Sequence, residues 1–189
     1  IILEANEQWK PWLIAQSFAI NSIIKHSTGI IYFSFARPYV NIKKDIERKF
    51  QKEIYKLNEI DLNEKELTFD QKEKIQYQID TKLNNIIIID CFAPLTLKEK
   101  KYTSELLKRI KKNKINDNVL TADPRNPHLL NQKYHISITR LINLKKFTHI
   151  CVVYDSLSDF LCFTDREIAI HYLRHNMCWE ENHNVSSLY

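Results

Sequence analysis

Two apolar runs of strand type close on an acid: Ile86-Ile87-Ile88-Ile89-Asp90 and Ile150-Cys151-Val152-Val153-Tyr154-Asp155. In parallel α/β sheets ligands sit at the carboxyl ends of the strands, so Asp90 and Asp155 are the first candidates for chemistry. Such an acid can hold a cation beside a phosphate, or it can hold strand-end hydrogen bonds. His171, His175 and Cys178 lie at i, i+4 and i+7 on one helix face. That spacing can grip zinc or another soft metal, with Cys162 or His183 as a fourth ligand. It equally describes an amphipathic helix whose polar positions are imidazoles. No Cys-x-x-Cys accompanies it, so no metal is expected. The segment 98–114 carries Lys98, Lys100, Lys101, Lys108, Arg109, Lys111, Lys112 and Lys114 against Glu99 and Glu105. A basic helix of this kind, densest at Lys108, Arg109, Lys111 and Lys112, can track nucleic-acid phosphates. The alternative is a solvated helix face. Tyr102 is its only aromatic residue, which argues against a stacking platform for single strands.

The elements that must position these residues alternate between strand and helix. Pro11 opens a helix to about Lys25, with Leu13, Ile14, Ser17, Ile20 and Ile24 at helical spacing, and Gly29 stands near its expected cap. Ile30–Phe35 is a strand dense in β-branched and aromatic residues. Asn41–Leu57 reads as a helix with the stripe Ile42, Ile46, Phe50, Ile54 and Leu57. Residues 58–84 form a polar surface excursion with a helical stretch near Asp70–Leu83. Strand Ile86–Asp90 follows, then the lysine-rich helix, then a short strand Val119–Thr121. Asn126 and Pro127 start a helix to about Leu144. After strand Ile150–Tyr154, Thr164 and Asp165 cap a last helix, about Arg166–Glu181. Strands separated by helix-sized segments predict a three-layer α/β fold with a largely parallel sheet.

The 189 residues suit one domain with a real core, and 44% apolar with 27% charged residues is ordinary globular composition. The net charge of +5 permits an acidic partner without requiring one. With no membrane-length apolar run and no signal peptide, the reading is cytoplasmic, and the four cysteines read as buried reduced thiols. The chain starts without Met on an apolar pair, Ile1 and Ile2, expected to be strand. It ends on Ser187-Leu188-Tyr189, as if another strand were beginning, so a fragment of a longer chain is expected. Glycine is the exceptional residue: only Gly29 occurs, where average usage of about 7% predicts about 13. An intact Walker A loop, a dinucleotide fingerprint, a kinase-type glycine loop and a Gly-x-Ser-x-Gly elbow are all excluded.

Residues His149–Leu161, with Asp155-Ser156-Leu157-Ser158 after an apolar strand, resemble the Walker B strand of RecA-type ATPases, particularly the KaiC-like branch. Tyr32-Phe33-Ser34-Phe35-Ala36-Arg37-Pro38 is similar to the family strand that reads aromatic-x-Ser-Phe-Glu-Glu-Pro. Ile2–Pro11 sits where the family has its first strand, phosphate loop and helix, and Ile86–Asp90 matches its third strand. The resemblance covers most of the chain outside 58–84 and implies a RecA-like sheet. The site positions it implies are Lys10, Asp155 and Ser156. The departures define the expected function. Glu4 and Trp9 stand at the loop glycines and Pro11 at the magnesium-binding hydroxyl, while Ala36 and Arg37 replace the paired glutamates. The resemblance therefore implies a degenerate, non-hydrolysing domain without ATP or magnesium, serving signalling or scaffolding through a protein partner or self-association. Trp9, Trp12 and Trp179 are its candidate anchors. A nucleic-acid-binding paralogue using helix 98–114, or a noncanonical NTPase, is the alternative.

Overall fold

The computed structural model describes residues 11–58, 67–96, 118–180 and 184–188. In chain order the elements are α1 (Pro11–His26), β1 (Gly29–Ser34), α2 (Tyr39–Leu57), α3 (Phe69–Leu83), β2 (Ile86–Asp90), α4 (Phe92–Thr96), β3 (Val119–Thr121), α5 (Pro127–Thr139), β4 (Ile150–Tyr154), α6 (Leu157–Phe163), α7 (Arg166–Glu180) and β5 (Val185–Leu188). All four strand pairings are parallel, in the order β3-β2-β1-β4-β5. The sequence argument for a three-layer, parallel α/β fold holds for a physical reason. Every residue of β1, β2 and β4 is buried, as it must be when helices cover both faces. The expected strand Ile1–Leu3 and helix 98–114 lie outside the described residues.

The chain builds one half of the sheet, returns to the middle, and builds the other. Helices α1, α2 and α3 cover one face, where Ile30, Tyr32, Ile86, Ile88 and Val153 meet Ile23, Ile42, Ile46, Phe50 and Ile79, with α1 lying over β1 and β4. On the opposite face Ile31, Phe33, Ile87, Ile89 and Val152 meet Leu130, Tyr134, Phe160, Ala169 and Tyr172 from α5, α6 and α7. The helices change face because right-handed crossovers must do so when the direction of strand addition reverses.

Several local expectations are corrected by packing. The stripe of α1 is rotated: Ala15, Ala19, Ile20 and Ile23 are buried, whereas Leu13 and Ile14 are exposed. Small alanines let this helix lie close to the sheet. Leu57 is exposed at the last residue of α2, beyond the reach of the core. Within 58–84, α3 is capped by a Thr68–Gln71 capping box and buries Ile75 and Ile79, so this part belongs to the helical layer. The α5 helix starts on the expected Asn126 cap and Pro127, then loosens into a π-turn over Arg140–Leu144. Helix α6 leaves no periodic mark in the sequence, because seven residues are too few to show one. Cys91 and Cys151 are buried as expected, but Cys162 and Cys178 are exposed. Among the described residues no helix is long and apolar enough to cross a membrane.

Gly29 does not cap α1. Ser27 takes the left-handed turn, φ 49°, and Gly29 is already in β1. Its hydrogen faces the Phe147 ring and Leu141: an added Cβ would lie 3.0 Å from Phe147 Cδ2 and 3.2 Å from Leu141 Cδ2. Gly29→Ala should therefore lose about 1 kcal/mol or more through overpacking, read as a lower urea midpoint with an unchanged slope.

Candidate functional site

The order β3-β2-β1-β4-β5 reverses direction between β1 and β4, and α/β sheets bind ligands in the crevice at the carboxyl ends of such a pair. Phe33 and Tyr154 are register partners there, with stacked rings 4.6 Å apart. The chain leaves β1 through Phe35-Ala36-Arg37 and leaves β4 through Asp155-Ser156. The structure brings the expected Asp155 into contact with the loop that follows β1, at Phe35 and Ala36.

The contact is a closed one. The Phe35 and Ala36 backbone N–H groups donate to Asp155 Oδ1 at 2.7 and 3.2 Å, and Asp155 N donates to Phe33 O at 3.1 Å. Asp155 is 2% exposed, and its Oδ2 is buried with no partner among the described residues. Burial pushes the carboxyl up to about 7, against the pull of the two N–H donors and of the Arg37 charge. The Tyr32 phenol is raised by burial and by Asp155. Arg37 is turned away to Asp45 on α2, with Nη1 2.9 Å from Oδ2. Lys49 on the same helix donates to Leu13 O and Ser17 Oγ, tying α2 to α1.

The neighbouring candidates are occupied in similar ways. Ser156 accepts from Asp159 N and is the N-cap of α6. Asp90 is 2% exposed, and its Oδ1 accepts from Ala93 N at the start of α4. Burial, with Asp90, Asp155 and Asp123 nearby, pushes the Cys91 thiol well above its ordinary range. A buried neutral thiol of this kind is a poor nucleophile.

His171 and His175 do share one face of α7 and line a common groove, with both side chains exposed. Cys178 does not line that groove. Among the described residues no three His, Cys, Asp or Glu groups lie close enough to hold a metal ion. Lys10, Lys108, Arg109, Lys111, Lys112, Trp9 and His183 lie outside the described residues, as do the side chains of Trp12 and Trp179. Thr164 does not cap α7; Asp165 does, accepting from Glu167 N and Ile168 N.

Sequence reasoning missed Glu180. It is 5% exposed, Tyr134 Oη donates to its Oε1 at 2.6 Å, and Ser187 Oγ donates to its Oε2. Burial raises its carboxyl, opposed by these two hydrogen bonds. The signal was available: Ala169, Tyr172, Asn176 and Glu180 repeat at helical spacing along the buried face of α7.

No protein-family model, curated protein or solved structure matches this chain.

The clamp has a pH signature. Asp155 is raised from 3.8 unfolded to about 7 folded, so the folded state binds the extra proton between those values. Its contribution to stability is full below pH 3.8 and is lost as pH rises to about 7. Asp155→Asn keeps an acceptor for Phe35 and Ala36 but removes this loss. Relative to the parent, the variant should gain stability progressively between pH 4 and pH 7, by at most about 4 kcal/mol, and no further above it. Urea unfolding at a series of pH values measures the difference.

Proposed function

We propose that this chain is a degenerate RecA/KaiC-like domain that does not hydrolyse nucleotide and acts as a cytoplasmic signalling or scaffolding module through protein–protein contacts. The observation that carries the reading is the inward engagement of Asp155. Hydrolysis in this fold needs backbone donors, magnesium and a water-activating carboxylate acting together. Here the strand-end carboxyl is buried, raised to about 7 and bonded to the very loop where the family carries its glutamates. Ala36 offers no carboxylate, and Arg37 is paired with Asp45. Ser156 serves a helix cap rather than a ligand shell. The absence of glycine before Gly29 supports the same reading, since no phosphate nest forms readily without positive φ. The eight basic residues of 98–114 favour a second reading, nucleic-acid binding, which a salt-dependent fluorescence-anisotropy titration would reveal.

Isothermal titration with Mg-ATP should give no saturable heat, and phosphate release should not exceed the buffer rate. Light scattering should show the same particle size with and without Mg-ATP. Micromolar binding abolished by Lys10→Ala, or turnover lost on Asp155→Asn, would overturn the proposal in favour of a noncanonical NTPase.

A further inference from the structure

Helices α5 and α7 both leave the carboxyl edge of the sheet and run back along its second face, side by side. Thr164 Oγ1, just before α7, donates to Pro124 O, just before α5, at 2.8 Å. The two helices flank an open groove of about 570 Å³, the size of a small-ligand site. Its inner wall is apolar, built from Tyr172, itself 4% exposed, with Pro127 and Ile168. Its polar groups are mostly imidazoles. His128 comes from α5, His171 and His175 from α7 one turn apart, and all three imidazoles are exposed. His128 is the second residue of α5, at the positive end of the helix dipole and next to the Leu129 N–H that Asn126 caps. A single carboxylate, Glu167, stands against them, since Asp165 is engaged in capping α7. Asn131 also lines the groove, and its side-chain oxygen is buried with no partner among the described residues.

We propose that this groove binds a small aromatic anion, a ring bearing a carboxylate or a phosphate. The ring lies along Tyr172 and Ile168, and the anionic group sits among His128, His171 and His175. An apolar wall alone would take any hydrophobic molecule; imidazole N–H donors offered from both helices, beside the N-terminal end of the α5 dipole, favour one with an anionic end. A metal would need three such ligands together, and among the described residues no three His, Cys, Asp or Glu groups lie close enough to share an ion. The two ideas differ in sign at Glu167. A metal needs its carboxylate, whereas an anion is repelled by it.

The test is a titration of the full chain followed by ¹H–¹⁵N spectra of the backbone and histidine side chains. Phenyl phosphate and benzoate are the probes, with inorganic phosphate and phenol as single-feature controls. At least one aromatic anion should give saturable shifts confined to His128, Asn131, His171 and His175, and the better probe identifies the anionic group. Each control should bind at least tenfold more weakly. His128→Ala and His171→Ala, both surface changes, should weaken binding at least fivefold with unaltered thermal melting. Glu167→Gln should tighten it. The proposal fails if inorganic phosphate binds as well as phenyl phosphate, if neither aromatic anion saturates, or if Glu167→Gln weakens binding. Zinc shifting the same imidazoles, with the effect lost in Glu167→Gln, would replace it with a metal site.

Discussion

The hydrogen bonds from Phe35 and Ala36 to Asp155 join the two halves of this protein. The sheet is assembled in opposite directions from β1, so among the described strands the β1–β4 pair is the seam where β3-β2-β1 meets β4-β5. Ladder hydrogen bonds hold that seam as far as Phe33 and Tyr154. Beyond it the chains would diverge into α2 and α6. Asp155 prevents this by donating its own N–H back to β1 and accepting two N–H groups with one oxygen. Burying a carboxyl is costly unless it is bonded or neutralised, and here both occur: two donors at Oδ1 and a titration point raised towards neutrality.

Closing the seam determines what the rest of the surface can do. In an open α/β sheet the strand ends at the switch point are the natural place for a ligand, because loops diverge and leave backbone donors unpaired. Here the protein supplies its own carboxylate to those donors, and the adjoining acids cap helices. The layers on either side are fastened by different chemistry. Lys49 bonds α2 to the first turns of α1, while Glu180 draws Tyr134 of α5 and Ser187 of β5 onto α7. The second fastening ties α5 to α7, the two helices that flank the groove.

The sheet was legible because its three inner strands are covered on both faces. Isoleucine runs such as Ile86–Ile89 have no polar alternative face, so no other environment suits them. Helix α2 was legible for the converse reason: its apolar residues recur every four positions against a charged background. The weaker readings fail where a neighbour decides. The stripe of α1 could not be placed from its largest residues, because close approach to the sheet selects alanine and leaves Leu13 and Ile14 outside. Gly29 was assigned to a cap by proximity, whereas its true constraint is the Phe147 ring, more than a hundred residues away. Cys162 and Cys178 sit in apolar stretches of sequence but on the outer faces of α6 and α7.

Asp155 shows why the candidate site was harder to read than the fold. An apolar strand ending in Asp-Ser is compatible with an acid pointing outward to a cation or inward to the chain. Nothing local separates the two, since the donors that decide are backbone groups of Phe35 and Ala36, some 120 positions upstream. Backbone N–H groups carry no residue identity, so no composition or spacing rule records them. What can be read is the circumstance that frees them: Ala36 and Arg37 put no carboxylate in the loop, so nothing there repels Asp155 and the loop can fold onto it. Glutamates at those positions would set two further acids beside a buried carboxyl, raising its cost and forcing the loop away. On this argument the acid-free loop and the inward turn of Asp155 depend on each other. The closed carboxyl edge is their structural consequence.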